Sequence, residues 1–280
     1  MYIAAARNIE AKAGKLTATD YYVRGFALEF VNASVETKRQ ELGLYRQMLA
    51  LEPNSPKAMI CVASALTDLA AASYKVGLDQ NSIDRDFEEG RELALKARAL
   101  GAKHPWIYEV PAEYAKFHDD QPGWLENSNA WQQASPNDLV PLIYVANASL
   151  YGGDLQNALA LVQQAIAMDR SPPEWGELLL LGKTYFLLKD DAEAIAALQR
   201  ARVVSPSSGT VYAYLAMANF SKGDEAAART AVAELRNQQP QFTLKTFAHL
   251  EMLMPTSTPV YKSWWDTRVL PAWRHAGLPE

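Results

Sequence analysis

Four histidines, one cysteine and one glycine-rich tetrad are the residues of this 280-residue chain whose types could carry chemistry. His104, His118, His249 and His275 form neither HxxxH nor HExxH, the spacings that place two imidazoles on one helical face around a metal. His118 is followed by Asp119 and Asp120, a pattern that reads as turn and helix cap rather than as a ligand set. Tyr151-Gly152-Gly153-Asp154 lacks the GK[ST] ending and a preceding strand, so it is not a phosphate-cradling loop. Serine, histidine and aspartate occur without a nucleophile elbow. Cys61 lies among Met59, Ile60 and Val62, where a buried inert thiol is expected. No catalytic residue, metal site or cofactor is predicted, and the chain reads as a non-enzyme.

The elements that surround these residues repeat. Pro172, Pro206 and Pro240 stand 34 residues apart, as do Gly182 and Ala216, and Ala194 and Ala228. A fixed period of about 34 residues is the signature of the tetratricopeptide (TPR) unit, a pair of antiparallel helices that stacks on its neighbours. Small residues recur because paired helices approach closely. Residues 175–208 are the clearest unit, with Leu178, Leu181 and Tyr185 around Gly182, a break at Lys189-Asp190-Asp191, then Ala194, Leu198 and Ala201 on one face. The predicted fold is all-α, a TPR-type superhelix of six pairs at 20–55, 56–104, 105–138, 139–174, 175–208 and 209–242. Residues 1–19 are expected to form an N-terminal capping helix and 243–280 C-terminal capping helices, with Trp264, Trp265 and Trp273 sealing the last pair. The pair at 56–104 is too long, and its polar stretch Ser73–Arg85 reads as an inserted loop. Pro111 should kink or delay the first helix of 105–138.

Composition narrows the partners. A net charge of −5 with dispersed lysines and arginines disfavours nucleic acid. No segment approaches the roughly 20 apolar residues of a membrane span. A single cysteine excludes an intrachain disulfide, and no secretory signal is legible in the first residues, so a cytoplasmic location is expected.

The stretches YYVRGFAL (21–28), LALEPNSPKAMICVASAL (49–66), PPEWGELLLLGKTYFLL (172–188) and HAGLPE (275–280) carry a narrower likeness. With them the chain resembles the C-terminal TPR region of bacterial class III adenylate/guanylate cyclases, over about residues 20–280. The resemblance implies a regulatory array. The family's catalytic domain, with its two metal-binding aspartates and nucleotide-gripping lysine, has no counterpart in these residues, so none of its catalytic residues is carried over.

The TPR resemblance also implies that the first helix of each pair lines a concave groove. The groove residues so implied are Trp106, Glu109, Glu113, Phe117, Ile143, Asn147, Tyr151, Lys183, Phe186, Met217 and Phe220. This apolar, aromatic wall suits a peptide or amphipathic helix from a protein partner, and self-association is a further possibility. A small ligand sensed near Trp106 and Trp131 is the alternative, and the C-terminal helix is a competing occupant of the groove.

Overall fold

The computed structural model describes residues 15–29, 31, 34–168, 173–252 and 258–280. Most of the leading helix expected before residue 17, Pro172 and Pro255 lie outside them. Every regular element among the described residues is helical. The contacts divide the chain into two compact units, residues 1–115 and 116–280.

The first unit holds α1 (Ala18–Leu28), α2 (Val35–Leu51), α3 (Pro56–Lys75), α4 (Gln80–Ala99) and most of α5 (Trp106–Phe117). Helix α1 starts on a capping box: the Thr17 hydroxyl accepts from the Asp20 N–H and the Asp20 carboxylate accepts from the Thr17 N–H. Gly25 faces Tyr45 of α2 so closely that a Cβ would lie 2.4 Å from the ring. Cys61 is buried, and burial pushes its thiol up to about 12, which keeps it protonated and inert. The polar stretch expected as an inserted loop is instead absorbed by lengthening both helices. Helix α3 runs on to Lys75 and α4 begins at Gln80, each 20 residues long. Two local devices make this possible. Gly77 takes a φ of +71° and lets the Leu78 N–H reach back to the Ser73 carbonyl. Asp79 then caps α4 by accepting from the Ser82 N–H at 2.9 Å. Pro111 does not delay helix α5, which begins at Trp106 and runs through the proline to Phe117.

The second unit continues with α6 (Gln121–Ala134), α7 (Leu139–Gly152), α8 (Leu155–Met168), α9 (Trp175–Leu187), α10 (Asp191–Val204), α11 (Gly209–Lys222) and α12 (Glu225–Gln238). Helices α7, α9 and α11 end alike. Gly153, Lys189 and Gly223 have φ of +100°, +67° and +90°, and the N–H of the next residue bonds the carbonyl five back: Asp154 to Ser149, Asp190 to Tyr185, Asp224 to Asn219. The aspartate that closes each helix opens the next, accepting from the N–H of Asn157, Glu193 and Ala227. Turn residues thus explain why antiparallel pairs recur at this spacing. Between the helices of a pair the small residues are buried as expected. A Cβ on Gly182 would fall 2.5 Å from Leu198 Cγ, and Ala194, Ala216 and Ala228 are buried.

After α12 the chain forms a hairpin of α13 (Leu244–Met252) and a second arm. That arm comprises α14 (Pro259–Trp264), a wide π turn at Trp265–Val269 and α15 (Leu270–His275). The Leu244 N–H and the Trp273 indole N–H both donate to the Pro279 carbonyl, so the HAGLPE tail closes the hairpin on itself.

Two outcomes follow for stability. Gly182→Ala should lower stability by about 1–3 kcal/mol through overpacking against Leu198. Gly43→Ala, in a helix interior with open space around it, should raise it by about 0.5–1 kcal/mol; thermal unfolding measures both. The third outcome concerns pH. Burial, followed by the neighbouring Glu41 carboxylate, raises the Glu29 carboxyl from its ordinary 4.5 to about 7 beside Lys38 and Asp68. Its contribution is therefore complete below about pH 4.5 and lost as pH rises through about 7. The melting temperature of the wild type should fall relative to Glu29→Gln across that interval.

Candidate functional site: a filled inner wall

The first helices of three successive pairs, α7, α9 and α11, present one wall in the second unit, and the C-terminal hairpin lies on it. Its second arm follows the wall in repeat order. The Thr258 hydroxyl donates to the Tyr151 carbonyl at the end of α7, and the Tyr261 ring sits 4.6 Å from that of Tyr151. Arg268 donates to the Phe186 carbonyl at the end of α9, pairs with Asp191 at 2.5 Å and lies over the Phe186 ring. The His275 ring sits tilted on Phe220, 5.5 Å away, near the end of α11. Trp265 and Trp273 pack on Phe247, and Trp273 reaches Phe242. The tryptophans thus build the hairpin's own core, beside the wall.

At the centre, one carboxylate oxygen collects four donors. Oε2 of Glu251 from α13 accepts from Lys183 Nζ at 2.7 Å, Tyr214 Oη at 3.0 Å, Tyr261 Oη at 3.1 Å and Tyr151 Oη at 3.3 Å. Lys183 also donates to Tyr151 Oη at 2.7 Å, so that hydroxyl receives from the ammonium and gives to the carboxylate. Glu251, Lys183 and the three tyrosines are buried. Burial opposes the charge on Lys183, yet Glu251 and Tyr151 more than offset it and hold the ammonium above its usual range. Burial, then the Glu251 charge, pushes the Tyr151 hydroxyl up to about 12, so it remains a neutral donor. The cluster is a buried ion pair with its hydroxyl partners, and it ties the hairpin to the wall.

The residues implied by the groove reading divide between the units. Trp106, Glu109 and Glu113 belong to the first, where Trp106 packs on His104 at 4.3 Å and Glu113 is buried. Phe117, Ile143, Asn147, Tyr151, Lys183, Phe186, Met217 and Phe220 belong to the second. Asn147 donates to the Ile143 carbonyl, and both are half-buried, as is Phe117. Tyr151, Lys183, Phe186 and Met217 are buried where the groove reading needs them open; Tyr151 and Lys183 meet Glu251, Tyr151 also meets Tyr261, and Phe186 lies under Arg268. Trp106 and Trp131, expected to flank a small ligand, fall in different units. Sequence reasoning does not reach Tyr214 and Glu251. The available signal for Tyr214 is its position among inner-face residues one helix further on; nothing local marks Glu251. One open cleft of about 470 Å³ remains at the far end, lined by Leu187, Phe220, Trp264, Arg268 and His275.

Removing one partner from a buried ion pair costs about 3–5 kcal/mol, because the other charge is left uncompensated. Glu251→Leu should therefore lose that much stability, and Lys183→Met added to it should restore most of the loss. Tyr261→Phe, which deletes one hydroxyl, should cost about 1 kcal/mol. Denaturant unfolding of these chains, with Lys183→Met alone to complete the cycle, decides between this coupling and simple additivity.

No family model and no curated protein sequence matches the chain. Solved structures do match. A chain of the APC/C hetero-tetramer Cut9-Hcn1 aligns with a TM-score of 0.71 and 14% identity over 90% of this chain; this chain spans only 45% of that one. Pseudomonas aeruginosa PilF aligns with a TM-score of 0.59 and 11% identity over 84% of this chain and 96% of PilF. TTC0263, a thermophilic TPR protein of Thermus thermophilus, gives 0.52 and 19% over 68% of this chain and 98% of its own. At such identities the likeness speaks for the fold alone. The chain has the tetratricopeptide-type fold, helix pairs stacked as an array.

Proposed function

We propose that the chain is a non-catalytic protein-interaction scaffold with a regulatory role. In this reading the wall of α7, α9 and α11 receives a peptide or helix from a protein partner, and the C-terminal hairpin holds the wall until that partner displaces it. The observation that carries the proposal is the mode of seating: the hairpin's second arm tracks the wall from Tyr151 through Phe186 to Phe220 as a bound peptide would. The open cleft at its far end, with Phe220 half-exposed, offers a place where displacement can begin.

The resemblance to cyclase-associated arrays favours a regulatory role over a purely structural one. Among the described residues no helix is long and apolar enough to cross a membrane; with the single cysteine, this supports placing the proposed role in the cytoplasm. A hairpin tethered in cis competes at an effective concentration on the millimolar scale. A partner therefore binds with an affinity reduced by the fraction of chains whose wall is open.

Arg268→Ala should raise that fraction, since it removes the Asp191 ion pair and the bond to the Phe186 carbonyl while leaving the wall's own side chains intact. Peptides selected from a displayed random library should bind the variant at least tenfold more tightly than the wild type. They should compete with one another and protect α7, α9 and α11 from amide exchange. Equal affinity for both chains, or protection confined to α8, α10 and α12, would refute the reading.

A further inference from the structure

The wall carries a charge that constrains what can lie on it. Lys183 is buried, and its ammonium is paired with Glu251, a residue the hairpin brings. The faces of Tyr151 and Tyr214 stand 5.1 Å and 5.7 Å from Nζ, but ring faces supply no formal negative charge. When the hairpin leaves, water can solvate the ammonium. A purely apolar occupant would strand it again, uncompensated and out of water. An occupant that covers Lys183 has to bring an acid.

The hairpin also shows which acid fits. Glu251 is a side-chain carboxylate within a helix, not a chain end. Phe247, one turn earlier on α13, is fully buried; it stacks on the hairpin's Trp265 and Trp273 and meets the Tyr214 ring of the wall in a T-shaped pair at 5.5 Å. Residues four apart on a helix lie on one face. The cradle of Tyr151, Lys183 and Tyr214 therefore meets an aromatic ring and a carboxylate presented together.

We propose that this cradle is a recognition site for helical peptides carrying an aromatic residue followed, one turn later, by a glutamate. It is the site that Phe247 and Glu251 occupy in cis. The inference rests on the displacement reading above and adds the chemistry of the ligand. Lys183 supplies the counter-charge, the Tyr151 and Tyr214 hydroxyls orient the carboxylate, and the Tyr214 ring receives the aromatic side chain.

The probe is a labelled peptide of residues 241–252, QFTLKTFAHLEM, and its counterpart with glutamine in place of the glutamate. Both are titrated by fluorescence anisotropy into the full chain bearing Glu251→Gln, whose own hairpin can no longer neutralise Lys183. The acidic peptide should bind at least tenfold more tightly than the glutamine peptide. Adding Lys183→Met should abolish that preference. The wild type should bind the acidic peptide more weakly than Glu251→Gln does. Equal binding of the two peptides would overturn the carboxylate chemistry while leaving displacement intact. Binding of neither peptide to either Glu251→Gln or Arg268→Ala would overturn displacement and the inference with it. Circular dichroism checks the fold of each chain. Should Glu251→Gln fail to fold, Tyr261→Phe loosens the hairpin with the charge pair kept, and the same tenfold preference is read there.

Discussion

A buried ammonium needs a carboxylate, and the second unit is organised around that requirement. Lys183 lies in the middle helix of a three-helix wall, where burial alone would strip it of charge or expel it. Glu251, more than sixty residues further on, supplies the counter-charge, and three tyrosine hydroxyls fill the remaining donor positions around the same oxygen. The hydroxyls matter because an ion pair in a poorly solvating interior breaks even only when its remaining bonds are satisfied. Tyr151 and Tyr214 come from the wall and Tyr261 from the hairpin, so the cluster ties the two together. The position of the last helices is thus set by electrostatics as much as by apolar contact.

The rest of the unit makes this meeting possible. Repeated helix ends at Gly153, Lys189 and Gly223, each followed by a capping aspartate, give successive pairs the same turn and bring α7, α9 and α11 to one side. Small residues at the pair interfaces keep the helices close enough for the wall to be continuous. Tyr151, Lys183 and Tyr214 then stack along it from consecutive pairs. The described parts of the hairpin hold to one another because Phe247 packs with Trp265 and Trp273, and the Pro279 carbonyl ties its ends.

The helix pairs could be read from the sequence because their determinants are local. Glycine, aspartate and proline at fixed intervals specify turns and caps, and Gly182 with Ala194 specifies a close approach. The stretch at Ser73–Arg85 misled because polarity alone does not distinguish a loop from an exposed helix end, and a single Gly77 with an Asp79 cap sufficed to turn the chain within a few residues. The filling of the wall was not legible for a different reason. Which segment covers Lys183 depends on a partner far away in sequence, and Glu251 sits in a stretch that reads only as an amphipathic helix. Aromatic residues at 264, 265 and 273 pointed to burial, but not to Trp265 and Trp273 lying beside Phe247 while Trp264 lines the open cleft.

The most direct test of the account is to locate the hairpin in solution. Val260 is partly exposed and touches the turn at Gly153, so a photo-crosslinking amino acid can replace it with little disturbance. Illumination of the full chain followed by mass spectrometry should give an intramolecular crosslink between the segment around residue 260 and the end of α7. Crosslinks to the outer helices α8, α10 or α12, or none within the chain, would contradict an inner wall covered by its own C-terminal hairpin.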